Sequence, residues 1–231
     1  MLLVGQLWYK GDMAKYPIFL ELSGRRVVVI GGGVVAARKA QVLLAAGARL
    51  VVVAERIDEM LTVLCRDNSA EIVKSKYAKS YLAEAVLVVA ATNNSQLNKQ
   101  IYRDCQELEV LCNVVDVPEL CDFFVPAVVK RGDLQIAIGT EGQCPAYAGH
   151  LRKKLEGIFT EEHGEFLAEL ETIRKQIIQD VSDPADRKSL LGRLVAEKSF
   201  EYFVENGPSK WRTFADEVIS SLPLSRQGEP L

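Results

Sequence analysis

One run constrains this chain more than any other: residues 27–36 read Val-Val-Val-Ile-Gly-Gly-Gly-Val-Val-Ala. Four β-branched residues without a polar interruption suit a strand buried on both faces, as in a parallel sheet, and three glycines then break it before a helical pattern begins. The glycines and Ala36 spell G-x-G-x-x-A, a turn that lays a pyrophosphate on a helix N-terminus. In that reading Gly31 makes the tight turn, Gly33 lets the backbone approach the phosphates, and Ala36 lets helix and strand pack closely. The amides opening the helix face the anion with the positive end of the helix dipole.

A glycine run between strand and helix can also be turn chemistry alone, so its surroundings matter. Residues 34–46 put Ala36, Ala37, Ala40, Leu43 and Leu44 on one helical face and stop at Gly47, a C′ glycine. A second apolar strand, 49–54, closes a βαβ unit of about 30 residues. Glu55 lies 24 positions past Gly31, near where a carboxylate holds the ribose hydroxyls of NAD. Arg56 beside it is able to accommodate the 2′-phosphate of NADP.

Either side of this unit the alternation continues. Residues 16–22 alternate weakly and end at a Ser23-Gly24 turn. Ile57, Met60, Leu61 and Leu64 recur at helical spacing, 71–74 suit a short strand, and 86–91 a buried one. Ser95 is placed to cap a helix lined by Leu97, Ile101, Cys105 and Leu108, and 110–115 give a fifth strand. The fold expected is α/β, a Rossmann-like doubly wound, mostly parallel sheet. Ligands in such a sheet lie beyond the carboxyl ends of the strands, which gathers the loops 31–35, 92–95 and 113–116. Asp116 either projects at the rim of the cofactor crevice or begins a turn before Pro118.

Past Pro118 the pattern changes. Runs 123–129 and 134–139, joined by Lys130-Arg131-Gly132-Asp133, read as a β-hairpin. Helices follow: one with Leu151, Leu155 and Ile158, one with Phe166, Leu170, Ile173 and Ile177, a fresh start at Ser182-Asp183-Pro184, and a last helix after Gly207-Pro208-Ser209. The divisions expected are an N-terminal extension (1–15), a dinucleotide-binding domain (16–117), a hairpin-bearing dimerisation region (118–158) and a C-terminal helical domain (159–231). Exposed hairpin edges beside amphipathic helices suit pairing with a second copy, so a homodimer is expected.

Composition narrows the partners. Of 231 residues 48% are hydrophobic and 26% charged, with a formal charge of −3, so no broad basic field points to nucleic acid. Five cysteines form no C-x-x-C pair or zinc spacing, and their odd number suits a reduced, cytoplasmic protein. The two histidines, His150 and His163, stand apart and make no metal set. No apolar run reaches the roughly 18 residues of a membrane span. Residues 1–8 lack a basic leader and a small-residue cleavage site, so no signal peptide is expected, and Met13 is an alternative start.

Taken together, Tyr16-Pro17-Ile18-Phe19-Leu20, the Gly31-Gly32-Gly33 turn with Ala36 and Arg38-Lys39-Ala40, Ala90-Ala91-Thr92-Asn93, Cys112-Asn113-Val114-Val115-Asp116 and Phe124-Val125-Pro126-Ala127 resemble the precorrin-2 dehydrogenase family. This is the dehydrogenase/ferrochelatase module of sirohaem synthase, and the likeness covers about residues 16–156. It implies NAD-dependent oxidation of precorrin-2 to sirohydrochlorin and, in many members, insertion of ferrous iron. By that resemblance Asp116 is the catalytic acid/base. Val34, Val35, Glu55, Arg56 and Thr92 join Gly31 and Gly33 in holding NAD, and Asn113 and Thr140 meet the substrate. No resident metal is implied.

The chemistry agrees with these residue types, since aromatising a reduced tetrapyrrole removes a hydride and a proton, the second of which suits a carboxylate. A polycarboxylate tetrapyrrole also calls for cations. Arg38, Lys39, Lys130, Arg131, Arg152, Lys153 and Lys154 are candidates, each otherwise a solvated surface charge. The loop Gly139-Thr140-Glu141-Gly142-Gln143-Cys144-Pro145 departs from the family's usual Ser-Thr-x-Gly-x-Ser-Pro, with Cys144 where serine is common. A non-catalytic NAD(H)-sensing dimer is the alternative, but it requires an effector surface such as a basic recognition helix, which the sequence lacks.

Overall fold

Strand β1 (Arg26–Ile30) sits at the centre of a five-stranded sheet because it has no polar face to offer water: Val27, Val28 and Val29 are fully buried. The computed structural model describes residues 15–221. It divides into two compact units, the first running through Val125 and the second beginning at Pro126.

In the first unit α1 (Val34–Ala45), β2 (Arg49–Val53), α2 (Glu59–Asp67), β3 (Glu71–Val73), β4 (Leu87–Ala90), α3 (Ser95–Glu107) and β5 (Leu111–Val114) follow β1. All pairings are parallel, in the order β3-β2-β1-β4-β5. Alternate residues feed opposite faces. Val27, Val29, Leu50, Val52 and Val89 pack with Ala36, Ala40 and Leu61 of α1 and α2. Val28, Val51, Val88, Cys112 and Val114 pack with Ile101 and Cys105 of α3. The sheet is covered on both faces, as doubly wound sheets are.

Some local expectations shift. Residues 16–22 form no strand, with Tyr16, Ile18 and Phe19 exposed and only Leu22 buried. Asn94, not Ser95, caps α3, its Oδ1 accepting the Leu97 amide hydrogen at 3.0 Å, and Asn is as good a cap as Ser. Met60 and Leu108 are exposed, because α2 and α3 turn Leu61, Cys65, Ile101 and Cys105 inward instead.

The chain past Pro118 stays with the first unit for seven residues. A single 3₁₀ turn at Pro118–Leu120 brings it back antiparallel beside β5, where Asn113 bridges Cys121. The described part of the second unit begins with an antiparallel ribbon, β6 (Ala127–Arg131) and β7 (Leu134–Ile138), joined by two residues, Gly132-Asp133. Helices α4 (Pro145–Glu156), α5 (Glu161–Asp180), α6 (Pro184–Leu194) and α7 (Glu197–Ser220) follow. A Cβ on Gly164 of α5 would lie 2.6 Å from the Arg131 carbonyl oxygen, so only glycine lets the helix meet the ribbon turn.

Phe166, Ile173, Ile177, Leu190, Leu194, Phe203 and Trp211 form the second unit's core. The break expected at Gly207-Pro208-Ser209 is a kink inside α7, with Gly207 at φ +80° and helix on both sides. No helix among the described residues is long and apolar enough to cross a membrane. Residues 1–14 of the expected N-terminal extension lie outside the described residues.

Candidate active site

The chain order of the sheet reverses between β1 and β4, and a cleft of about 590 Å³ opens at the carboxyl ends of the strands there, within the size range of cofactor sites. Its floor is the glycine turn. Gly31 donates its N–H to Val53 O at 2.9 Å, and Gly32 O accepts the Asp58 N–H at 2.7 Å, so the turn is stitched to the end of β2. Gly31 has φ +132°. A Cβ there would lie 2.3 Å from Ala91 O, and one on Gly32 would lie 2.0 Å from Arg56 O. A Cβ on Gly33 would meet nothing within 4 Å. The first two glycines are therefore closed against protein, and the third forms a bare ledge in the cleft lining.

Gly33 is also the N-cap of α1, which no side chain caps and which has no acidic residue in its first turn. The opening amides of Val34 and Val35 border the cleft, an uncapped positive helix end suited to an anion. Glu55 and Arg56, both exposed, follow β2 into the same lining.

Thr92 lines the cleft too, but its hydroxyl has protein partners. It donates to Asn98 Oδ1 at 2.6 Å and accepts the Asn94 N–H at 3.2 Å, while Asn98 Nδ2 donates to Thr92 O at 3.0 Å. Thr92 thus fixes the loop after β4, and its hydroxyl hydrogen is not presented to a ligand.

Asp116 stands two residues past β5, exposed, at φ +61°. A left-handed residue other than glycine is uncommon, though aspartate adopts this conformation more readily than most. The Val115 N–H donates to Ala90 O at 3.0 Å, extending the β4–β5 ladder to the residue before it. Asp116 is not among the residues lining the cleft; β5 lies two strand spacings from β1, about 10 Å. Asn113, expected to face the substrate, points inward instead. It is 7% exposed, and Nδ2 donates to Phe123 O at 2.9 Å. Thr140 belongs to the second unit, half-buried between β7 and α4. Arg131 caps backbone: Nε donates to Phe159 O at 2.7 Å and Nη2 to Glu156 O at 3.1 Å.

With this geometry in place, known proteins align with it. A family model described as putative NAD(P)-binding matches residues 18–127, and the sirohaem biosynthesis protein central model matches residues 131–158. A siroheme synthase of Pseudomonas putida (strain W619) is 37% identical over 223 residues, 92% of this chain and 46% of that protein. Over the matched residues this chain is similar to siroheme synthases. A second relative, the siroheme synthase of Psychrobacter cryohalolentis, is 39% identical over 152 residues, 66% of this chain and 29% of its own length. The chain thus spans less than half of these curated relatives. A solved precorrin-2 dehydrogenase, SirC, shares the fold at TM-score 0.73 and 22% identity, covering 88% of this chain and all of that one.

The cleft also contains residues that the motif does not mark. Ser75, Lys76 and Tyr77, after β3, line it. A second recess of about 580 Å³ continues past Glu55, Lys76 and Tyr77 to Gln100 and Arg103. Tyr77 donates its hydroxyl hydrogen to Asp104 Oδ2 at 2.8 Å, and burial together with that carboxylate pushes its phenol well above the ordinary value. The only sequence signal for this wall was positional, since any loop at the carboxyl edge of a parallel strand borders the crevice.

Proposed function

We propose that this chain oxidises precorrin-2 to sirohydrochlorin with NAD⁺. The observation carrying the reading is the ledge at Gly33: backbone without a side chain, opening to the cleft beneath an uncapped helix N-terminus. These residues fit a dinucleotide. Gly33, Val34 and Val35 would hold its pyrophosphate through backbone amides, with Gly31 shaping the turn. Glu55 would accept hydrogen bonds from the adenosine ribose, favouring NAD⁺ over NADP⁺, with Arg56 beside it and Thr92 keeping the facing loop in place.

When bound, NAD⁺ supplies a hydride acceptor. Asp116 is assigned the accompanying proton: its carboxylate is exposed at the carboxyl edge of the sheet, on a turn that limits its reach. Thr140 is assigned to the substrate on the family likeness alone. The polycarboxylate tetrapyrrole is the proposed substrate, and ferrous iron a further one if the chain also chelates. We further place the β6–β7 ribbon in a homodimer and the chain in the cytoplasm.

The test supplies precorrin-2 with NAD⁺ or NADP⁺, follows sirohydrochlorin absorbance, and then adds Fe²⁺. Product dependent on NAD⁺ supports the dehydrogenase, and metallation faster than a protein-free control supports the chelatase. Asp116→Ala should abolish all but a residual turnover and leave NAD⁺ binding near that of the unmodified chain. Normal turnover in that variant removes Asp116 from the mechanism.

A further inference from the structure

The loop carrying Asp116 is closed from below by its own return. After β5 the chain turns at Asp116, with the Val117 N–H donating to Val114 O at 3.2 Å. It makes one 3₁₀ turn and comes back beside β5, where the Asp122 N–H donates to Cys112 O at 2.8 Å. The Asp122 carboxylate returns the contact, Oδ2 accepting the Cys112 N–H at 2.8 Å.

Between these ends lies Cys121. Its Sγ is 3.2 Å from Val114 O and 3.3 Å from Val117 O, the carbonyls two residues before and one residue after Asp116. A thiol has one hydrogen, so the two oxygens share it, and the sulfur draws both flanks of the turn together. Asn113 braces the sulfur from the other side. Nδ2 lies 3.4 Å from Sγ and donates to Phe123 O at 2.9 Å. Burial pushes the Cys121 thiol up, which keeps the hydrogen on sulfur.

We infer that Cys121 and Asn113 are positioning residues for Asp116, holding its left-handed turn so that the carboxylate keeps one aim. The inference rests on the catalytic assignment of Asp116 above. The two residues touch backbone and each other, so their loss should appear in kcat and leave the KM for NAD⁺ in place. A side-chain contact to substrate would instead appear in the substrate's KM. Misplacing a reacting group by about 1 Å costs on the order of 100-fold, so a loosened turn should lower kcat roughly 10- to 100-fold.

The test uses the full chain with precorrin-2 and NAD⁺ and five variants, each checked for folding by circular dichroism and melting. Cys121→Val fills the thiol's space without its hydrogen, and Asn113→Leu removes the brace, so either remains informative if the other does not fold. Both should lower kcat as stated with KM for NAD⁺ unchanged, while Cys121→Ser, which restores a donor, should recover to within about threefold. In an Asp116→Ala background, Cys121→Val should change the residual rate less than about twofold.

Unchanged kcat in both folded single variants, losses that multiply with Asp116→Ala, or a rise confined to the substrate's KM in Asn113→Leu would overturn the inference. Asp116→Ala alone tests the parent reading. If that variant turns over normally, the catalytic assignment fails first and the positioning roles fall with it.

Discussion

The three consecutive glycines should respond to one methyl group in different ways. Replacing Gly32 by alanine puts a Cβ 2.0 Å from Arg56 O and 3.0 Å from Ala54 Cβ. Backbone must move, because neither obstacle is the end of a flexible side chain. Overpacking of this kind costs about 1–3 kcal/mol, against a gain of about 0.4–1 kcal/mol from a less flexible unfolded chain. The net loss is then up to about 2.6 kcal/mol, so at roughly 4 °C per kcal/mol in a domain of this size Gly32→Ala should lower Tm by up to about 10 °C. Gly31→Ala should cost more, since contact with Ala91 O at 2.3 Å is joined by φ +132°. Gly33→Ala meets no protein atom within 4 Å and sits in extended backbone at φ −92°, so its Tm should stay within about 2 °C of the original. Its methyl would stand on the ledge proposed for the pyrophosphate, and NAD⁺ binding should weaken tenfold or more, which is about 1.4 kcal/mol. Scanning fluorimetry and calorimetric titration with NAD⁺ read the two effects separately. A Gly33→Ala protein that melts as early as Gly32→Ala, or binds NAD⁺ as the parent does, refutes the ledge.

Other outcomes follow from side chains already described. Glu55→Gln should weaken NAD⁺ binding by roughly 10- to 100-fold, the worth of hydrogen bonds to a charged group, and should weaken NADP⁺ less; equal losses for both cofactors would remove Glu55 from the choice between them. Iodoacetamide on the native chain should label Cys144, which is exposed, well before Cys65, Cys112 and Cys121. Burial raises the Cys65 and Cys121 thiols, and a hydrogen bond with Cys105 followed by burial raises Cys112. Labelling of Cys65, Cys112 and Cys121 should need a more alkaline pH than an ordinary thiol does, as peptide mass mapping would show. Trp211→Phe removes the buried 2.8 Å bond from Nε1 to Ser199 Oγ and should cost about 1–3 kcal/mol in denaturant titration, part of which Ser199→Ala should return.

The central sheet was legible because its strands carry their burial in composition: 27–30, 50–53 and 87–90 are apolar on both faces, as only a covered parallel strand can be. The glycine turn was legible as a phosphate-binding pattern, yet that pattern leaves Gly32 free. Its need for glycine comes from Arg56 O, a contact that exists only once β2 is laid beside β1. Thr92 was legible as a polar residue in the loop after β4 and Asn113 as one near the end of β5, whereas the direction of their side chains was not. Asn98 and Phe123, which claim their hydrogen bonds, are set by packing. The continuity of α7 across Gly207 escaped for a related reason: Gly-Pro reads as a break, and here the chain bends and stays helical on both sides.

The return of residues 121–123 along β5 has a consequence for solubility. A five-stranded sheet ends in two rows of unpaired amides and carbonyls that invite a neighbour's strand. Here one margin is β3, only three residues long, and the other is shielded where Asp122 takes up the N–H and the carbonyl of Cys112. The segment that returns beside β5 below Asp116 thereby also guards the sheet against open-ended growth.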